Sequence, residues 1–211
     1  SGIKASSEIY GSHGDIRFRD GRGTQRIENS FASVNLQGNA GDVTIEATNG
    51  SVDASEIKGV ANIRDRFASV TVARASNGVT IVNNNGSVSV TDSGGMGSVR
   101  NSFGSVAVRD FHGDLSIANT NGQVDVFNVS GSADIHNGFG GVRFADIKGE
   151  LSIKTHNSKV EGSRVGGPAN IANSFGAVVV EDAAGAIDVH NQNGAIDVYS
   201  SARGACKPIT L

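Results

Sequence analysis

The sequence predicts an all-β fold, a single elongated β-solenoid (β-helix) of 18-residue repeats with a 36-residue superperiod, spanning 1–211 as one domain. Three observations predict it. The stretch Gly95–His112, GMGSVRNSFGSVAVRDFH, recurs eighteen residues on as GDLSIANTNGQVDVFNVS and again as GSADIHNGFGGVRFADIK. Within each copy, apolar residues alternate in two short bursts. Finally, 29 glycines with two prolines and no tryptophan suit tight turns, whereas glycine at this density destabilises helices.

Eleven blocks run from Ala5 to Ala202 without insertion or deletion, starting at Ala5, Gly23, Gly41, Gly59, Asn77, Gly95, Gly113, Gly131, Gly149, Gly167 and Gly185. A fixed period marks a stack of like units, and it favours one body over the two ordinary domains that this length would allow. In Gly41–Lys58 the bursts are Val43 and Ile45, then Val52 and Ala54, with Ile57 leading into the next block. In Gly149–Gly166 they are Leu151 and Ile153, then Val160. Alternation over about five residues between Gly, Asn and Ser is the pattern of a half-buried strand. Strands are therefore expected near 43–45, 52–54, 61–63 and every ninth residue after, with essentially no helix.

A short strand with one apolar face is unstable alone. Coiling the chain so that each strand pairs with its equivalent in the next block buries all those faces in one core. The alternative is a meander of hairpins, for which Asn-Gly at 49–50, 85–86, 121–122 and 193–194 would supply type I′ turns. That arrangement leaves a flat apolar face in water, at about 25 cal/mol per Å².

The blocks alternate. Phe31, Phe67, Phe103, Phe139 and Phe175 lie 36 apart, mostly in versions of N-S-F-G, and Asn49, Asn85, Asn121, Asn157 and Asn193 hold the same place in the intervening blocks. The third residue switches in step, large at Val43, Val79, Leu115, Leu151 and Ile187, small at Ala61, Gly97, Ala133 and Ala169. Coils of 18 and of 36 residues are both open. Like-on-like ladders favour 36. Outward charges favour 18, because Asp125, Arg143 and Glu161 then lie side by side with opposite signs in contact, while a 36-residue coil sets acid beside acid. The balance tips to 18, with a two-block module as the unit of duplication. Phe67, Phe103, Phe139 and Phe175 are expected to point into the core, each over the small residue of its own block. On that expectation Phe103→Ala costs about 3–5 kcal/mol.

Charge and composition exclude several classes. A net charge of −3 with scattered basic residues lacks the clustered footprint of a nucleic-acid binder. No apolar run approaches the roughly 20 residues that span a bilayer. The single Cys206 rules out a disulfide framework within the chain. The chain opens on Ser1-Gly2, block Ala5–Arg22 fits poorly at its start, and 203–211 begins a twelfth coil that breaks off. It therefore reads as a piece of a longer protein whose targeting segment and solenoid cap lie outside it.

The units GDVTIEATNGSVDA and GPANIANSFGAVVVED, with their G-x-[VIL]-x-[IV]-x-x-x-[NF]-G-x-[VI]-x-V pattern, resemble the adhesin-like DUF4097 family, a bacterial β-strand-repeat domain. The resemblance covers the chain from about Gly14 to Leu211. It implies an extracytoplasmic solenoid of the periplasm, envelope or cell surface, and carries over no catalytic residues.

Candidate chemistry is sparse. Asp134 with His136 and Asp188 with His190 share a strand face, which is how a metal site or an acid–base pair begins. The two pairs are three blocks apart, about 14 Å at ~4.8 Å per coil, and solvated surface pairs are the simpler reading. Calcium β-rolls need Asp after a double glycine at fixed spacing, and the turns here carry Asn, Ser and Thr. The outward column Thr44, Asn62, Thr80, Ser98, Ser116, Asp134 is too mixed for an ice-binding face. A polysaccharide-active β-helix enzyme builds its cleft from inserted loops, and the blocks have none. No catalytic, cofactor-binding or metal-binding residues are assigned, and no cofactor is expected.

Two readings remain. One is a non-catalytic, adhesin-like binding module whose partner is a surface polysaccharide, an envelope component or a protein, with no nucleic acid. The other is a structural spacer or assembly scaffold, for which edge-to-edge self-association is open. A binding surface predicts a contiguous patch of one chemical type, and outward aromatics such as Phe127 and Tyr199 are expected to be rare.

Overall fold

The structure, a computed structural model, describes residues 4–199 together with Ile209 and Thr210. The chain divides into two compact units, Ser1–Gly104 and Ser105–Leu211. Each is a β-solenoid, and among the described residues every regular element is a strand. Cys206 and most of the unfinished twelfth block lie outside the described residues. Of that block, Ile209 and Thr210 pair with Ile187 and Asp188.

Every block supplies two strands. In the first unit the leading strands are Ser7–Gly11, Gln25–Asn29, Val43–Ala47, Ala61–Asp65, Gly78–Asn85 and Met96–Phe103, and they form one parallel sheet. The trailing strands Ile16–Gly21, Val34–Asn39, Val52–Ile57, Val70–Ala75 and Val88–Gly94 form another. The second unit repeats the scheme, with leading strands from Leu115–Asn121 to Ile187–Asn193 and trailing strands from Val106–His112 to Ile196–Tyr199.

Within the eleven blocks pairing joins residues eighteen apart: Val43 with Ala61, Ala61 with Val79, Leu115 with Ala133, Ala133 with Leu151. The coil is therefore 18 residues, and among the described residues the strands pair in parallel rather than as hairpins. The 36-residue superperiod survives as large-over-small stacking down the core, which lets successive layers interdigitate. The predicted charge column also forms, with Asp125 beside Arg143 and Arg143 beside Glu161. The Arg143 Nε lies 3.4 Å from Asp125 Oδ1.

In Gly41–Lys58 the inward residues are Val43, Ile45, Ala47, Val52, Ala54 and Ile57, all buried. Simple alternation would send Ile57 outward. It faces in because Glu56 adopts a left-handed conformation, φ 59°, and one such residue resets the pleat. The same place is left-handed at Asp20, Arg74, Asp92, Asp110, Asn128, Asp146, Arg164 and Asp182. Asp and Asn dominate because they tolerate this region best among residues with a Cβ.

The phenylalanine rows do not enter the core, contrary to the expectation above. Phe67, Phe103, Phe139 and Phe175 are 60%, 55%, 51% and 51% exposed, and Phe31 is 58% exposed. The core side of that corner belongs to the residue two places earlier: Asn29, Asp65, Asn83, Asn101, Asn119, Asn137 and Asn173 are buried there. Its side chain holds the turn, so the chain has already rounded the corner when the phenylalanine arrives. The buried aromatic rings are the solitary Phe18, Phe111 and Phe144. Phe144 fits because its in-register neighbour in the next coil is Gly162, where a Cβ would sit 2.5 Å from the ring.

Candidate functional site

Most corners after a leading strand read N-x-[FN]-[GA], with Gly11, Ala47, Asp65 and Thr155 in place of the asparagine in the others. At Asn29, Asn83, Asn137 and Asn173 the buried asparagine donates from Nδ2 to carbonyls both in its own coil and in the coil before. Asn83 donates to Gly86 O at 3.3 Å and Ala68 O at 3.1 Å, and Asn29 to Ala32 O at 2.8 Å and Gly14 O at 3.2 Å. In the second unit Asn137 donates to Gly140 O at 2.8 Å and Gly122 O at 3.1 Å, and its Oδ1 accepts from Asn119 at 3.2 Å. The residue after the Phe or Asn must be small. A Cβ on Gly86 would stand 2.1 Å from Ala68 O, and its φ of 137° favours glycine besides.

Pinned in this way, the corner displays its next side chain to solvent. In the first unit the row reads His13, Phe31, Asn49, Phe67, Asn85, Phe103, one residue per coil. Its pitch is about 4.8 Å per step, so neighbouring phenylalanines stand roughly 9.6 Å apart. His13 stacks on Phe31 with ring centroids 5.0 Å apart and planes at 19°. The row is flanked by small polar residues, Thr48, Ser51, Ser69, Asn84 and Ser102 among them, and Arg66 is the charge closest to Phe67 in sequence. The second unit carries its own row: Asn121, Phe139, Asn157, Phe175, Asn193.

Asp65 stands at the place held by Ala47 in the coil before and by Asn83 in the coil after. Its Oδ2 accepts from the Ala68 N–H at 2.9 Å. Burial raises its carboxyl above the ordinary carboxylate range, partly opposed by the backbone N–H groups of Arg66, Ala68 and Phe67.

Other polar features are dispersed. The Asp134–His136 and Asp188–His190 pairs form, at 3.5 Å and 3.3 Å, on exposed side chains. They stand on strands Ala133–Phe139 and Ile187–Asn193, with two leading strands between them, and the structure does not bring them together. A shallow depression of about 500 Å³ near His156, His190 and Lys154 has no carboxylate in its lining. The left-handed corner carries ion pairs up the coil. Arg74 bonds Glu56 at 3.1 Å, and Arg164 grips Asp146 with two bonds of 2.6 and 2.7 Å, which holds the Asp146 carboxyl below its ordinary range. Among the described residues, no three His, Cys, Asp or Glu side chains gather as metal ligands would. No helix among them is long and apolar enough to cross a membrane.

Sequence reasoning saw the phenylalanine rows and gave them the wrong direction. The missed cue was the asparagine two places earlier, which recurs in Phe and Asn blocks alike. Comparisons with protein-family models, with curated proteins and with solved structures find no match.

Proposed function

We propose that this chain is a non-catalytic interaction module of the bacterial envelope or cell surface, and that the phenylalanine rows are its contact edge. The exposed rows carry the proposal. Phenylalanine that is more than half exposed, recurring at fixed spacing on a regular corner, is apolar surface left open to solvent, and such surface marks interaction sites. The resemblance to adhesin-like β-strand repeats supports the location and the absence of chemistry. So does the loop-free coil, whose acids and histidines do not converge on one substrate position.

The unbroken coil also suits a spacer, and one experiment separates the two. The intact chain is passed over bacterial wall polysaccharides, other surface and plant polysaccharides and envelope proteins, each immobilised. Retention and reducing-end release are both measured. A binding module is retained without release, and the variant with Phe31, Phe67, Phe103, Phe139 and Phe175 all changed to Ser loses retention while keeping its β circular dichroism. Retention that survives in this variant overturns the assignment of the rows. Turnover abolished by changing Asp134, His136, Asp188 or His190 overturns the non-catalytic reading.

A further inference from the structure

We infer that the phenylalanine row of the unit Ser1–Gly104 docks against the same row of a second copy of this chain, the two running antiparallel with their rings interdigitated. The inference rests on the reading of the rows as contact edges and names the partner. Pitch, ring geometry and charge support it independently.

Pitch comes first. Phe31, Phe67 and Phe103 are separated by two coils each, about 9.6 Å, and the short side chains Asn49 and Asn85 hold the levels between them. Each level is a notch with an aromatic ring on either side and an amide at its floor. A ring entering from outside would lie roughly 4.8 Å from both walls, within the 4.5–7 Å centroid range that aromatic pairs prefer. A second copy presents rings at the identical pitch, so two successive rings of one row meet the two notches of the other without accumulating mismatch.

Ring geometry is shown within the chain itself. His13 occupies the level next to Phe31 and stacks on it at 5.0 Å and 19°. A partner ring at the level of Asn49 or Asn85 would repeat that contact.

Symmetry and charge agree. A two-fold axis between the levels of Phe67 and Asn85 sets Phe67 into the partner's Asn85 notch and Phe103 into the partner's Asn49 notch, which Phe31 walls, and the reciprocal contacts follow. This is an isologous, closed arrangement. The immediate flanks of the row carry one cation, Arg66, and one acid, Asp15, so antiparallel apposition brings no large like-charged surfaces together. Nucleic acid is disfavoured by the same neutrality, since it needs several cations. The asparagines interrupt the apolar surface that a membrane would need.

The area sets the strength. A phenylalanine buries about 150–250 Å² at most, so three half-exposed rings in each of two rows supply roughly 450–750 Å², and with their polar flanks the pair stays at the weak, low end of specific interfaces. The expected dimer is reversible, with a dissociation constant in the micromolar range.

The test is sedimentation equilibrium on the intact chain over a range of micromolar concentrations. Wild type should show a reversible monomer–dimer equilibrium. Phe67→Ser should weaken it by about tenfold or more, with an unchanged melting temperature. The decisive variant fills the notches, Asn49→Phe with Asn85→Phe. It adds apolar surface yet leaves no slot, so interdigitation predicts that dimerisation is lost. Stronger association in this variant would mean a merely sticky surface and overturn the proposal. A wild type that stays monomeric overturns it too. If that monomer still needs its phenylalanines for retention on an envelope polymer or protein, the rows remain contact edges and self-association alone falls.

Discussion

Asn101 and Phe103 stand two residues apart on one strand, and hydropathy would bury the second and expose the first. The structure does the reverse: Asn101 is 4% exposed and Phe103 55%. The difference lies in what each place demands. At Asn101 the chain turns between sheets, and backbone carbonyls that leave the ladder there need a donor, which costs about 1–3 kcal/mol if left unmade. The amide supplies it, to Gly104 O at 3.1 Å. At Phe103 the chain has passed the corner, and the ring projects outward with more than half of its surface in solvent. In a thin solenoid, the satisfaction of corner carbonyls decides direction before hydropathy does.

The largest test of this contrast uses a phenylalanine that is in the core. Phe144 is 1% exposed and fitted against Gly162. Phe144→Ala should cost about 3–5 kcal/mol, the ordinary loss for a buried ring, measured by urea unfolding. A cost near zero would mean that rings contribute little anywhere in this fold.

Next in size is the corner itself. Asn83→Ala removes the donor to Ala68 O and Gly86 O. It should destabilise by about 2 kcal/mol, because two part-buried carbonyls lose their partner. Asn83→Leu, which restores apolar volume without the donor, should not recover that loss. Recovery would assign the role to packing instead.

Asp65 sharpens the comparison by breaking the ladder naturally. Its folded-state carboxyl is raised by burial, so its contribution favours the folded chain most below the ordinary aspartate value and is lost as pH rises through the raised one. Asp65→Asn removes that titration and restores a donor. The variant should be more stable than wild type by about 1 kcal/mol at neutral pH, and the gap should close on acidification toward pH 4. Urea midpoints at the two pH values check it, and a gap that widens in acid would reverse the assignment.

The repeat, the strand positions and the outward charge column were legible in the sequence because they depend on period alone. Val43, Ile45, Val52 and Ala54 face where alternation sends them. Two features depend on single residues that interrupt alternation, and these were not legible. The left-handed place at Asp92 or Asp146 turns the pleat over, which brings Ser93 and Ile147 inside. The buried asparagine closes the other corner, which puts Phe103 outside. An alternating pattern carried past either place assigns the wrong face, and the candidate contact edge lay just beyond the second.

The smallest expected effect is the most discriminating. Phe103→Ala should change stability by no more than about 0.5 kcal/mol, as for surface substitutions away from special features. The side chain is 55% exposed, and the residue's structural work is done by its backbone, whose carbonyl accepts from the Gly86 N–H at 2.8 Å. Alanine keeps that carbonyl. It also keeps the in-register pairing with Asn85 and adds no atom near Gly104. Measured in dilute solution, where no second copy or other partner covers the row, the unfolding midpoint should match wild type. A loss of several kcal/mol would show that the ring is anchored by its own chain, and the rows would then be structural ribs with no surface left to bind with.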